Sequence, residues 1–112
     1  MRKMAFSART WEKSLVDHLV LFTVKGDART EDVEDLLASL KDLKTEIPNV
    51  IDLSVGENFS ERSQGYTHGL FVRLRTVDDL RSYISHPEHL AVVEKLDALT
   101  TGRLVVDYDH EL

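Results

Sequence analysis

Tyr83-Ile84-Ser85-His86-Pro87-Glu88-His89 is the stretch that decides how the chain divides into elements. An apolar run at helical spacing, Val77, Leu80 and Ile84, enters it and stops, and a second, Leu90, Val93 and Leu96, leaves it. Pro87 has no N–H and disfavours helical geometry at His86, so the first helix ends here. Ser85-His86-Pro87-Glu88 then reads as a capping box for a new helix, with Ser85 at the cap and Glu88 three residues on. The stretch is a helix–break–helix joint with Tyr83, His86 and His89 around it. Imidazole and phenol move protons near neutral pH, although a solvated polar joint would carry the same residues.

Working outward, 112 residues make one domain with a modest core. A composition of 42% hydrophobic and 30% charged residues argues against disorder. The net charge of −6 disfavours a nucleic-acid or anionic-membrane partner, which would need a positive footprint. The absence of cysteine removes disulfides, thiol catalysis and thiolate metal sites and fits a reducing compartment, so a cytoplasmic location is expected. No apolar run approaches the roughly 20 residues that span a bilayer. Residues 1–14 have basic side chains, no apolar centre and no strand alternation to Glu12. They are expected to be a flexible tail ahead of a domain at 15–109.

Leu15 to Val24 reads as a first strand, His18, Val20, Phe22 and Val24 on one face and Leu19, Leu21 and Thr23 on the other. Both faces are largely apolar, so both are expected to be buried. Thr30 can cap a helix carrying Val33, Leu36, Leu37, Leu40, Leu43 and Ile47, ended by Pro48. Val50 to Val55 is a second strand, Gly56 to Gly65 a loop and Tyr66 to Leu74 a third strand. Thr76-Val77-Asp78-Asp79 opens the broken helix, whose second half runs from about Pro87 to Leu99. Thr100-Thr101-Gly102 reads as a turn and Arg103 to Tyr108 as the fourth strand.

The order β-α-β-β-α-β is the ferredoxin-like α+β pattern, an antiparallel sheet in spatial order 4-1-3-2. The two central strands, one and three, are nevertheless expected to be parallel neighbours, with the outer two opposed to them. That arrangement carries His18, His68, Tyr83, His86, His89, Asp107 and Tyr108 to one rim. His89 shares its helix face with Val92, Val93 and Leu96, so it should look at the sheet. Several such groups at one pocket mouth suggest a ligand site, against the alternative of a structural polar cluster. No metal is expected, because His86 and His89 straddle the start of a helix and no carboxylate stands at ligand spacing.

His18-Leu-Val-Leu-Phe-Thr-Val-Lys25, Ile47-Pro48, Gly65-Tyr66-Thr67-His68, Tyr83-x-x-His86-Pro87-x-His89 and Val105-Val106-Asp107-Tyr108 together resemble the stress-responsive A/B barrel (Dabb) domain. The resemblance runs from about residue 15 to 109. It implies a homodimeric α+β barrel, two ferredoxin-like sheets face to face with helices outside, and no cofactor. An enzymatic relative in plants, a polyketide cyclase, closes a linear chain by an aldol step. Its catalytic tyrosine and histidine fall on Tyr83 and His89, and its other polar pocket residues fall on His18, His68, Asp107 and Tyr108. Two functions are carried forward from this resemblance. One is a dimeric barrel protein binding a small aromatic or polyketide-like molecule, or serving as a scaffold. The other is a cofactor-free cyclase or isomerase-like lyase using a His/Tyr acid–base pair. An oxygenase of the related dimeric barrels is a third reading that no residue specifically demands.

Overall fold

A computed structural model describes residues 14–111. The tail expected at 1–14 lies outside that range except for Ser14, which opens the first strand. In chain order the elements are β1 (Ser14–Val24), α1 (Thr30–Glu46), β2 (Asp52–Glu57), β3 (His68–Leu74), α2 (Val77–Ser85), α3 (Pro87–Leu99) and β4 (Thr100–Glu111). The four strands form one sheet in the order β2-β3-β1-β4. Every neighbouring pair is antiparallel, so the ferredoxin-like pattern holds with its second helix split in two.

The expectation of parallel central strands is corrected: β1 and β3 run antiparallel, with His18 opposite Val72 and Phe22 opposite His68. The reason is the order of connections. The α1 crossover brings the chain back to run β2 in the direction of β1, and the loop after β2 then reverses it. β3, inserted between them, therefore opposes both. Phe22 stands four positions along β1 from His18, so the backbones of His18 and His68 are about 13 Å apart along the strand direction rather than side by side.

Local signals at the helix ends also differ from expectation. His86, not Ser85, caps α3: its Nδ1 accepts from the Glu88 backbone N–H at 3.1 Å. Ser85 is still inside α2 and its hydroxyl donates back to the Arg81 carbonyl at 3.1 Å, a bond that competes with capping. Thr30 is already helical, and the cap of α1 is Arg29, which makes no side-chain capping bond. Thr76 does cap α2, accepting from the Asp79 N–H at 3.0 Å. Thr100-Thr101-Gly102 is not a turn but the start of β4. Thr100 is buried, donates to the Leu96 carbonyl at 2.7 Å and pairs with Val24 across a bulge, so helix passes into strand without a loop.

The core lies between one sheet face and the helices. Val16, Val20 and Phe22 of β1, with Leu70, Val72 and Leu74 of β3, pack on Leu36, Leu40 and Leu43 of α1, Leu80 and Tyr83 of α2, and Val92 and Leu96 of α3. No described helix covers the opposite face, where Leu21, Leu104 and Val106 are 36%, 44% and 44% exposed. Leu19 and Phe71 share that face, as the strand registers place them. Phe22, at 0% exposure, lies under the helices, so Leu21 is the uncovered member of that pair. No described helix is long and apolar enough to cross a membrane.

Candidate functional site

A cavity of about 220 Å³ opens between the sheet and the helices. Its walls are mostly apolar: Val20, Phe22 and Val105 on the sheet, Leu40 on α1, and Val92, Val93 and Leu96 on α3. Polar side chains converge on it from four elements: His18 of β1, Tyr83 of α2, His89 of α3, and Asp107 with Arg103 of β4.

β1 and β4 place His18 directly opposite Asp107, and His18 Nδ1 lies 2.5 Å from Asp107 Oδ1. A carboxylate only accepts, so Nδ1 carries the proton in this bond. The sequence left open which histidine Asp107 orients; the geometry gives His18. His89 Nδ1 donates instead to the Ile84 carbonyl at 2.8 Å, across the α2–α3 joint. A carbonyl cannot donate, so His89 too carries its proton on Nδ1, with Nε2 available. Burial pushes the His89 pKa down, offset in part by the Ile84 carbonyl and reinforced by His18 and His86, so the ring is kept neutral.

Tyr83 stands between the two imidazoles, its ring 5.8 Å from that of His18 and 4.6 Å from that of His89. It is fully buried, and its hydroxyl has no hydrogen-bond partner among the described residues. Burial pushes its pKa up, so the phenol stays protonated and able to donate. Two imidazoles, that of His89 neutral, and one protonated phenol around an apolar cavity can hold a carbonyl or hydroxyl, or move a proton between carbon and oxygen.

Three other residues singled out from the sequence lie elsewhere. His68 is buried at the far end of β3, stacked on Phe22 at 5.2 Å, with Nδ1 2.8 Å from the Thr67 hydroxyl. Its pKa is lowered by burial, partly offset by Glu57. His86 is the α3 cap. Tyr108 alternates to the uncovered face, opposite Asp17 and 5.6 Å from the His110 ring. The single rim expected for all seven is thus corrected to a set of four; His68 went astray with the direction of β3. Among the described residues no three His, Asp or Glu side chains converge as a metal site.

The sequence reading missed two features. Arg103 lines the cavity, and strand alternation from Asp107 through Val105 was the signal available for it. Asp17, on the uncovered face at 2% exposure, accepts from Arg73 Nε at 2.7 Å and Nη2 at 2.9 Å, with His110 Nε2 2.8 Å away. The Arg73 hydrogen bonds hold the Asp17 carboxyl below its usual range; burial opposes this and His110 assists. An acid in the middle of an apolar strand was the hint for a buried ion network.

Comparisons with known proteins bear on most of the chain. A family model described as the stress responsive A/B barrel domain matches residues 16–110. A stress-response A/B barrel domain-containing protein of Arabidopsis thaliana is 29% identical over 80% of this chain, which spans only 34% of that protein's length. Olivetolic acid cyclase of Cannabis sativa is 25% identical over 83% of this chain and 94% of its own. A dimeric protein of unknown function and ferredoxin-like fold from Bacteroides fragilis superposes with a TM-score of 0.70 at 27% identity, covering 86% of this chain and 96% of that one.

Proposed function

Because the chain belongs to the stress-responsive A/B barrel family, we propose that it is a homodimeric barrel protein that binds a small, mainly apolar molecule between its sheet and helices. The observation that carries this reading is the Tyr83 hydroxyl. A buried polar group without a partner is destabilising by about 1–3 kcal/mol, and native structures seldom keep one without reason. Tyr83 lines the cavity beside His18 and His89, whose Nδ1 atoms are already engaged. An occupant bearing a carbonyl or hydroxyl supplies the missing partner. The volume is below the roughly 300–1,000 Å³ of drug-sized pockets, so the occupant is small; the similarity to a polyketide cyclase supports the aromatic or polyketide-like class.

Homodimerisation is supported by the uncovered apolar face and by the dimeric state of the Bacteroides fragilis structure. Packing Leu21, Leu104 and Val106 against a second copy removes from water a face that the helices leave bare.

A second reading, a cyclase- or isomerase-like enzyme, is favoured by the 4.6 Å approach of Tyr83 to His89. Neutral His89 takes a proton from a carbon next to a carbonyl, and Tyr83 donates to the oxygen that gains charge. His89 then returns the proton it took, and His18, oriented by its bond to Asp107, helps to hold the substrate. The similarity to olivetolic acid cyclase supports the side-chain types and leaves the substrate open.

The test is a thermal-shift panel of small aromatic and polyketide-like ligands. A compound that raises the Tm of the wild type and not of Tyr83→Phe or His89→Ala supports the pocket, since ligand bound only by the folded state raises Tm. Turnover lost in both variants while folding and dimerisation persist supports the enzyme. If no compound shifts the wild type and His89→Ala only lowers stability, the barrel is a scaffold.

A further inference from the structure

We propose that the cavity is a site for a carboxylate-bearing ligand whose anionic end is held by Arg103, while its carbonyl or hydroxyl end meets Tyr83, His18 and His89. The proposal deepens the reading of the cavity as a ligand site and rests on it. Arg103 lies on the cavity-lining face of β4, four residues before Asp107 and directly opposite Phe22, as Asp107 is opposite His18. The two positions are therefore about 13 Å apart along the strand, with apolar wall between them. Among the described residues that line the cavity, Arg103 is the one Lys or Arg. A shallower groove formed by Asp97, Thr100, Thr101, Gly102 and Arg103 abuts it, so Arg103 stands where the cavity meets the outside.

The state of its guanidinium is the second observation. Arg73 has its fork filled, two parallel bonds to the buried Asp17. Arg103 gives one N–H of Nη2 to Asp97, and Nε and Nη1 have no acceptor among the described residues. Asp97 is 64% exposed, so the pair is a surface contact that contributes little and yields to a better partner. A planar carboxylate matches the remaining donors, and a guanidinium keeps its charge at all working pH values. The opposite end carries Asp107, which repels an anion and so orients the ligand. In a chain of net charge −6, one cation at one end of an apolar slot is a selective feature rather than a general field.

The experiment uses 4-(4-hydroxyphenyl)butanoate and its primary amide, which differ only in the charge at one end. Binding of each to the 112-residue wild type, Arg103→Gln, Asp97→Asn and Val93→Trp is measured by calorimetry. The acid should bind the wild type roughly tenfold to hundredfold tighter than the amide, the worth of a hydrogen-bonded charge. Arg103→Gln should erase that preference by weakening the acid alone. Asp97→Asn, which removes the competing carboxylate, should strengthen the acid a few-fold and leave the amide unchanged. Acid and amide binding alike to the wild type, both lost in the blocked Val93→Trp cavity, would overturn the role of Arg103 and leave the cavity as a ligand site. Failure of both to bind the wild type, or binding of both to Val93→Trp as to the wild type, would overturn the cavity reading and the proposal with it.

Discussion

Replacing Tyr83 by Phe should stabilise the unliganded protein. The substitution removes the one oxygen that lacks a partner among the described residues and keeps the ring between His18 and His89. A buried hydroxyl without a partner is destabilising by about 1–3 kcal/mol, and the phenyl ring fills the same space. Taking the lower figure, about 1 kcal/mol in a chain of 112 residues raises the Tm by roughly 4–6 °C. The assay is differential scanning calorimetry of wild type and variant at matched protein concentration, because association makes Tm depend on it. The same variant should lose the Tm shift produced by any ligand that needs the hydroxyl. Stability gained together with binding lost is the signature of a polar group kept for function. A variant that melts several degrees lower would refute the reasoning, since the hydroxyl would then have a partner that matters to the fold.

Leu21→Glu should leave a monomer in sedimentation. Leu21 is 36% exposed before association, so two copies lose about 0.5–1 kcal/mol each, which weakens dimerisation by roughly five- to thirtyfold before the charge is counted, and an unchanged dimer would place the interface elsewhere. His68→Ala should lower Tm, because the Phe22 stack is lost, while leaving ligand affinity as in the wild type; a large loss of affinity would show that His68 reaches the cavity. The His89 pKa is lowered from 6.5 in the fold, so the unfolded chain takes up the proton first. Stability is therefore full above pH 6.5 and falls as the pH drops from there toward the depressed native pKa. Denaturation followed against pH should show part of that slope removed by His89→Ala, and an unaltered slope would assign it to His68, whose pKa is lowered too.

The helix break at Pro87, the capping of α2 by Thr76 and the facing of His89 toward the sheet were legible because each depends on a few neighbouring residues. The spatial order of the strands was legible from the β-α-β-β-α-β order of the elements. Direction was not: treating β1 and β3 as parallel carried His68 to the wrong end of the sheet, since orientation depends on how many times the chain reverses and not on any local pattern. Competition between Ser85 and His86 for the cap was settled by a hydroxyl bonding back into its own helix. The pairing of Asp107 with His18 rather than His89 depends on which residues the β1–β4 register sets opposite each other, and that register is long-range. Arg103 was within reach of simple alternation along β4.

Strand β1 gives its even and odd positions to different tasks, and this bears on how such a chain can diverge. His18, Val20 and Phe22 shape the cavity, while Leu19 and Leu21 look the other way. A lineage can change what fits between sheet and helices by drift at position 20, with 105 on β4, and leave 19, 21, 104 and 106 untouched, so ligand choice and assembly are heritable separately. A one-residue deletion within β1 has no such freedom. It exchanges the two sets at once, turning the leucines into the cavity and the histidine out of it, and is more damaging than a single substitution at either face.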